Sequence, residues 1–221
     1  MPTSSATLRL TKPRLRGVSH QWAFFVSVAI GAALVVVAPA GQPRLAAAIY
    51  ALSVAALFGT SALYHRITWA SQTARRWMRR LDHSMIFFLI AGTYTPFALL
   101  VLEGDLATVI LIVVWAGALG GILMQLVWID APKPLVAILY LALGWVAVAA
   151  FPSMLDKLGI TGSVLVAVGG LLYTAGALVY AFGRPDPAPT VFGYHEVFHA
   201  LVILAAALQY AVIAFYVIPG A

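Results

Sequence analysis

Seven long stretches of the chain contain no Asp, Glu, Lys or Arg, and together they occupy most of its length. A helix needs about 20 consecutive apolar residues to cross the hydrocarbon core of a bilayer. Each stretch is long enough to do so: 17–43, 45–65, 84–102, 106–129, 134–155, 158–183 and 197–221. The pattern therefore predicts an all-α polytopic membrane protein, in which residues 1–221 form a single domain, a bundle of seven transmembrane helices.

The composition excludes several classes of protein. Of the 221 residues, 63% are hydrophobic and 9% are charged, whereas a soluble domain is about half apolar and about a quarter charged. This excludes a soluble enzyme and a disordered chain. The net charge of +6 does not indicate nucleic-acid binding, because the basic residues lie in short segments between the apolar stretches. Cysteine is absent, so a metal site would have to use histidine and oxygen ligands.

The distribution of Lys and Arg predicts the orientation of the helices. If the N-terminus is cytoplasmic, the cytoplasmic segments carry eleven basic residues and the external segments carry two, Arg44 and Lys157. Nine of the eleven lie in a basic tail, residues 1–20, and in a basic loop, residues 66–81. Basic residues accumulate on the cytoplasmic side of membrane proteins. We therefore expect the N-terminus inside and the C-terminus outside.

The first stretch also has features of a cleaved signal peptide. Ala38, Pro39 and Ala40 resemble a signal-peptidase site after a basic N-terminus. The apolar run before this site, residues 22–38, is longer than the usual hydrophobic region of about 7–15 residues in a signal peptide. We therefore predict a retained first helix, and cleavage would leave the orientation of the other six helices unchanged.

Four of the five histidines lie at predicted helix ends on the cytoplasmic side. His65 ends helix two, His83 begins helix three, and His195 and His199 begin helix seven, whereas His20 lies in the N-terminal tail. His195 and His199 are four residues apart, so their side chains project from one helix face. The orientation is deduced from Lys and Arg alone, so this convergence of histidines is an independent indication of a shared site.

Two further polar residues lie at the same helix ends. Ser61 precedes His65 by one helical turn, and Asp82 opens helix three. Three histidines with an open fourth position are the ligand set of many catalytic zinc sites. Each residue also has a structural interpretation: a histidine packed between helices, Asp82 as an N-cap, or Ser61 bonded to a carbonyl of its own helix. Taken together, the residues predict a Zn²⁺ site, and whether it is catalytic stays open.

Three blocks of sequence surround these residues: TSALYHR at 60–66, LDHSMIFFLIAGTYTPF at 81–97 and FGYHEVFH at 192–199. In these blocks the chain resembles the haemolysin III family of bacterial membrane proteins, which belongs with the progestin and adipoQ receptors. The resemblance extends from helix one to helix seven. It implies a seven-helix, multi-pass protein of the bacterial inner membrane with a zinc ion near the cytoplasmic side.

The resemblance also implies a role for each site residue. His65, His195 and His199 would be the zinc ligands. Asp82 would hold or deprotonate the water at the zinc, and Ser61 would stand beside the site as a donor to a developing oxyanion. The wider superfamily includes alkaline ceramidases, and the haemolysin III branch is associated with cytolysis and with membrane-fluidity homeostasis. Membrane lipids are therefore the expected partners.

Three functions stand as hypotheses. The first is zinc-dependent hydrolysis of a lipid amide or ester taken from the inner leaflet. The second is a non-enzymatic lipid sensor whose zinc only joins helices two, three and seven. The third is a cytolytic pore, although the apolar stretches lack the polar stripe that a wide channel needs.

The occupancy of the fourth coordination position separates the first two hypotheses. An open position favours catalysis, and a fourth protein ligand favours a structural zinc. His83 and Glu196 are the residues that would close the site. Each lies one residue, about 100° around a helix, from Asp82 or His195, so we expect neither to be a ligand.

Overall fold

The computed structural model describes residues 12–221, and the chain there consists of helices joined by short loops. In this part of the chain seven α-helices follow one another: α1 Val18–Val37, α2 Gln42–Arg66, α3 Gln72–Leu100, α4 Gly104–Val127, α5 Lys133–Gly144, α6 Ala147–Phe182 and α7 Tyr194–Val212. A π-helical turn, Ile213–Val217, extends α7. No β-strand forms within residues 12–221, which confirms the all-α class for that part of the chain. Residues 1–11, which include Arg9 of the predicted basic tail, lie outside the described residues.

Within residues 12–221, six helical segments are long and apolar enough to cross a membrane. They are Val18–Val37, Gln42–Arg66, Gln72–Leu100, Gly104–Val127, Lys133–Phe182 and Tyr194–Val217, of which the fifth combines α5 and α6. Their outer faces carry large apolar side chains, such as Val127 and Phe182, which are 83% and 75% exposed. Large apolar faces of this kind are unfavourable in water and suit the lipid interior. The protein is therefore an integral membrane protein.

The segment formed by α5 and α6 does not run straight. Gly159, inside α6, has φ 67° and ψ −177°. Glycine adopts this backbone conformation readily, whereas a residue with a Cβ is sterically disfavoured there. The Trp145 Nε1 donates a hydrogen bond to the Thr174 Oγ1 at 3.2 Å, although 29 residues of straight helix would separate the two by about 43 Å. The chain therefore folds back at Gly159, next to the boundary between the fifth and sixth apolar stretches of the sequence.

A tyrosine of α3 satisfies the backbone where α5 gives way to α6. The Tyr94 hydroxyl donates to the Gly144 carbonyl and accepts from the Ala147 N–H, both at 2.6 Å. Backbone groups within a bilayer have no water to bond, so an interrupted helix needs partners of this kind. Tyr94 therefore holds the helix interruption against α3.

The helix α3 begins earlier than the sequence predicts. Its first residue is Gln72, and the Ser71 hydroxyl accepts a hydrogen bond from the Ala74 N–H at 3.3 Å. Asp82 thus lies ten residues inside α3, and the prediction that Asp82 opens this helix was wrong. Arginine side chains keep their charge in the headgroup region while their stems cover apolar surface. A charge-free stretch therefore marks the hydrocarbon core, whereas the helix itself continues beyond that core.

Small residues let α2 and α3 approach each other closely. Gly92 of α3 faces Ser53 of α2, and a Cβ added at Gly92 would lie 2.2 Å from the Ser53 Oγ. Close approach at small residues is a common basis of helix packing in membranes. At one end of the bundle α2 and α7 meet at His65 and His195, and Asp82 of α3 lies beside them.

Candidate metal centre

Three histidines from two helices converge on one point. His65 lies at the C-terminal end of α2, and His195 and His199 lie in the first turns of α7. All three are buried, and one ring nitrogen of each lies within 4.8 Å of those of the other two. The His65 and His195 Nε2 atoms are 3.1 Å apart. The convergence predicted from the helix ends is therefore confirmed, while the role of these residues as ligands stays a prediction.

The separation of one pair of histidine nitrogens is close to that of two ligands of a tetrahedral zinc ion. Zinc–imidazole bonds of about 2.0–2.1 Å place two ligand nitrogens of a tetrahedron roughly 3.3–3.4 Å apart. The 3.1 Å between His65 and His195 is close to this value. A set of three imidazoles suits zinc, whereas calcium and magnesium prefer oxygen ligands. These three buried histidines can therefore form a metal site.

The two predicted catalytic residues lie beside the histidines. The Asp82 Oδ2 is 3.7 Å from the His65 Nε2, and this carboxylate is buried in α3. Ser61 is buried one helical turn before His65. The Ser61 Oγ forms a 2.8 Å hydrogen bond with the His20 Nδ1.

His20 is the site residue that the sequence reasoning missed. The prediction that it lies in the N-terminal tail was wrong, because α1 begins at Val18 and His20 is only 2% exposed. Its ring stacks on that of His199, with centroids 3.7 Å apart and planes inclined by 9°. The sequence did contain an indication that His20 belongs to the site, since His20 lies inside the first apolar stretch, at the end predicted to share a membrane side with the other histidines.

His83 and Glu196 stand apart from the three histidines. The His83 ring faces Tyr180, with centroids 6.2 Å apart. One Glu196 carboxylate oxygen accepts a hydrogen bond from the Gly193 N–H at 2.8 Å and caps α7, while the other forms an ion pair with Arg16. Within residues 12–221 neither side chain therefore joins the histidine group, as predicted.

The segment 12–17 covers the histidines at their end of the bundle. The backbone N–H groups of Arg14 and Leu15 donate to the carbonyls of Thr190 and Val191 at 3.0 and 3.1 Å. The Lys12 ammonium donates to the His65 carbonyl. Together with the Arg16–Glu196 ion pair, these bonds attach the segment to α2, to the loop before α7 and to the first turn of α7, so the segment closes the site at this end of the bundle.

Gly17 is expected to be required for the position of His65. Its φ is +78°, and a Cβ added there would lie 2.5 Å from the His65 Cβ. We expect Gly17→Ala to displace His65 and to weaken zinc binding by about 10-fold or more, the scale of changes in the surroundings of a ligand. Zinc affinity in competition with a chelator, measured alongside the melting temperature, checks this.

Gly104→Ala is the matched control for Gly17→Ala. Gly104 also has a positive φ, +60°, but a Cβ there would meet nothing within 4 Å. Both substitutions should carry the backbone cost of about 1–2 kcal/mol for a left-handed residue. Equal zinc affinities in the two variants would contradict a specific role of Gly17 at His65.

An apolar cavity of about 340 Å³ adjoins the histidine group. At one end its walls include Ser61, Asp82, His195 and His199. From there the walls are mainly apolar side chains, among them these residues of α3, α6 and α7: Leu89, Phe97, Phe151, Met154, Leu171 and Val202. Met154 precedes the reversal at Gly159 by only five residues. The cavity thus leads from the polar group toward the opposite end of the bundle.

Comparison with known proteins identifies relatives that share most of this chain. A family model described as Haemolysin-III related matches residues 8–210. The hemolysin-3 homolog of Bacillus subtilis (strain 168) is 32% identical over 168 residues, which cover 76% of this chain and 75% of that protein. Hemolysin-3 of Bacillus cereus is 31% identical over 173 residues, 78% of this chain and 75% of that protein. The monocyte to macrophage differentiation factor of Homo sapiens is 27% identical over 170 residues, 76% of this chain and 68% of that protein.

Proposed function

The chain belongs to the haemolysin III-related family, and on that premise we propose that it is a zinc-dependent hydrolase of lipid amides or esters. It would act on lipids of the inner leaflet and serve membrane lipid and fluidity homeostasis. One observation carries the proposal: three buried histidines and a buried carboxylate line the polar end of an otherwise apolar cavity. A lipid is the substrate whose chain and polar group match these two environments.

The residues around the cavity would each have a separate role in hydrolysis. The apolar walls would hold the acyl chain, so that the carbonyl group lies at the histidine end. His65, His195 and His199 would hold the zinc, which when bound polarises a carbonyl and lowers the pKa of a coordinated water. Asp82 would accept the proton from the attacking water and pass it to the leaving group. The Ser61 hydroxyl would donate a hydrogen bond to the carbonyl oxygen as negative charge develops there.

A purely structural zinc is the second candidate. It would need a fourth protein ligand to close the tetrahedron. Within residues 12–221 His83 and Glu196 have other contacts, and the Asp82 carboxylate lies 3.7 Å from the His65 Nε2. If Asp82 holds the water and not the metal, the fourth position is open for catalysis, and the Asp82→Asn variant tests this. Cytolysis, which the names of the two Bacillus relatives suggest for those proteins, would be a consequence of altered lipids rather than of a pore.

The hydrolase proposal is tested by following the release of free fatty acid from defined lipids. We expect the purified protein in detergent to release fatty acid from a ceramide or from a phospholipid. EDTA should abolish this activity and added Zn²⁺ should restore it, whereas Mg²⁺ should not. Mass spectrometry of the products checks this. Zinc-loaded protein that releases no fatty acid from either lipid class would contradict the proposal.

We further propose that the chain crosses the bacterial inner membrane seven times, with the N-terminus inside and the C-terminus outside. The contacts at the two ends of the segment 133–158 support this. The Lys133 ammonium bonds the Tyr194 hydroxyl at 3.1 Å, next to His195. The Lys157 ammonium bonds Glu103, in the loop before α4, at 2.6 Å. The segment therefore extends from one end of the bundle to the other, and the reversal at Gly159 begins a further crossing.

The seven-crossing topology predicts which exposed residues can be labelled from outside the cell. Because the chain has no cysteine, single cysteines can be introduced without any background. Asp130 and Asp156 are exposed residues near the two ends of the segment. We expect Asp156→Cys to react with a membrane-impermeant maleimide in intact spheroplasts, and Asp130→Cys to react only after permeabilisation. A C-terminal cysteine should behave like Asp156→Cys. Labelling of the C-terminus only after permeabilisation would mean that one predicted crossing does not exist.

A further inference from the structure

His20 is the buried titratable residue of the site to which the proposed mechanism gives no role. It is the third residue of α1, a helix that carries none of the other site residues. Its ring is stacked on His199, and the edge of Phe58 meets it at a centroid distance of 5.0 Å. Its Nδ1 bonds the Ser61 Oγ at 2.8 Å. His20 thus contacts one proposed ligand and one proposed catalytic residue at the same time.

The contact with His199 compensates for a missing hydrogen bond. A histidine that binds a metal normally donates a hydrogen bond from its second ring nitrogen, which fixes the orientation of the ring. The His199 Nδ1 is buried and has no such partner within residues 12–221. The last side-chain torsion of histidine has a broad energy profile, so the ring needs another constraint. The parallel His20 ring supplies one.

The contact with Ser61 determines where the serine proton lies. A neutral imidazole carries one N–H, and the His20 Nε2 is buried without a partner among the described residues. An unpaired buried N–H is rare, so the proton belongs on Nδ1, which donates it to the Ser61 Oγ. The single Ser61 proton is then directed elsewhere. Ser61 and the Asp82 carboxylate are in hydrogen-bond contact and both line the cavity, so a substrate carbonyl that enters there can take the serine proton in place of that carboxylate.

We propose that His20 is a positioning residue with two actions: its ring holds His199 in the ligating orientation, and its Nδ1–H directs the Ser61 hydroxyl proton toward the substrate carbonyl. This inference rests on the proposed function, since it requires both a metal at His199 and a carbonyl near Ser61. The two actions use different parts of the side chain. Substitutions can therefore separate them.

Two variants of His20 each keep one action. His20→Phe keeps a flat ring against His199 and loses the Nδ1–H. His20→Asn keeps an amide donor near the position of Nδ1 and loses the ring. Ser61→Ala is the reference for loss of the serine hydroxyl. The readouts are the visible spectrum of the Co²⁺-substituted protein, metal affinity in competition with a chelator, fatty-acid release at saturating metal, and the melting temperature.

The two variants should fail in different measurements. We expect His20→Phe to keep the wild-type cobalt spectrum and metal affinity but to lose activity to the level of Ser61→Ala, about 10²–10³-fold. Combining His20→Phe with Ser61→Ala should cost no further activity. We expect His20→Asn to shift the cobalt spectrum and weaken metal binding by about 10–100-fold, while retaining most activity at saturating metal.

The results that would overturn the inference are distinct from those that would overturn the proposed function. A wild-type cobalt spectrum and affinity in His20→Asn would overturn the first action. Wild-type activity in His20→Phe, together with an inactive Ser61→Ala, would overturn the second. If the wild-type protein itself gave no cobalt spectrum, the proposed function and this inference would both fall.

Discussion

Purified protein carrying both His195→Ala and His199→Ala is expected to lose its zinc, from about one ion per chain to none. Three imidazoles and one water complete the tetrahedron of a catalytic zinc site, and α7 contributes two of the three. His65 alone offers one nitrogen, with the Asp82 oxygen 3.7 Å away from it. Each single substitution should also remove most of the metal. Elemental analysis of protein purified in the presence of zinc measures this directly.

His83→Ala is the matched control for the loss of zinc. His83 is a histidine at the same end of the bundle, but its ring faces Tyr180 and lies outside the three-histidine group. This variant should therefore keep its zinc. If the variant with both His195→Ala and His199→Ala kept all of its zinc, these two histidines would not be ligands, and the proposed metal centre would be refuted.

Asp82→Asn is expected to abolish hydrolysis while the zinc remains. The substitution keeps the size of the side chain and much of its hydrogen bonding but removes the base. A positioned acid–base group contributes about 10²–10⁴-fold to the rate, so fatty-acid release should fall by that factor. Zinc content and melting temperature should stay near the wild-type values, because Asp82 is not one of the three proposed ligands.

Comparison with His199→Ala distinguishes catalysis from a structural zinc. If the zinc is catalytic, Asp82→Asn and His199→Ala both lose activity, and only His199→Ala loses zinc and thermal stability. If the zinc only joins the helices, Asp82→Asn should leave cellular function intact, whereas His199→Ala loses it. Asp156→Asn makes the same chemical change on an exposed residue and should alter none of these properties. An active Asp82→Asn protein would refute the hydrolase even with zinc bound.

The sequence was sufficient to predict the all-α membrane architecture and the meeting of His65, His195 and His199. Bilayer thickness requires a minimum apolar length from each crossing, and the preference of Lys and Arg for the cytoplasmic side orients each loop. These constraints act on one segment at a time. A sequence pattern therefore reveals the length and orientation of each crossing. Histidines at helix ends on the same side of the membrane could then be assigned to a common depth.

The tertiary structure decided the features that depend on contacts between segments. It placed Asp82 ten residues inside α3, since the arginines at the start of that helix do not end it. It brought His20 of α1 onto His199 and Ser61, because burial of an imidazole is favourable only where other side chains bond and cover it. A polar residue near a helix end looks the same in sequence whether it faces water or a neighbouring helix, and only the packing of the helices distinguishes the two.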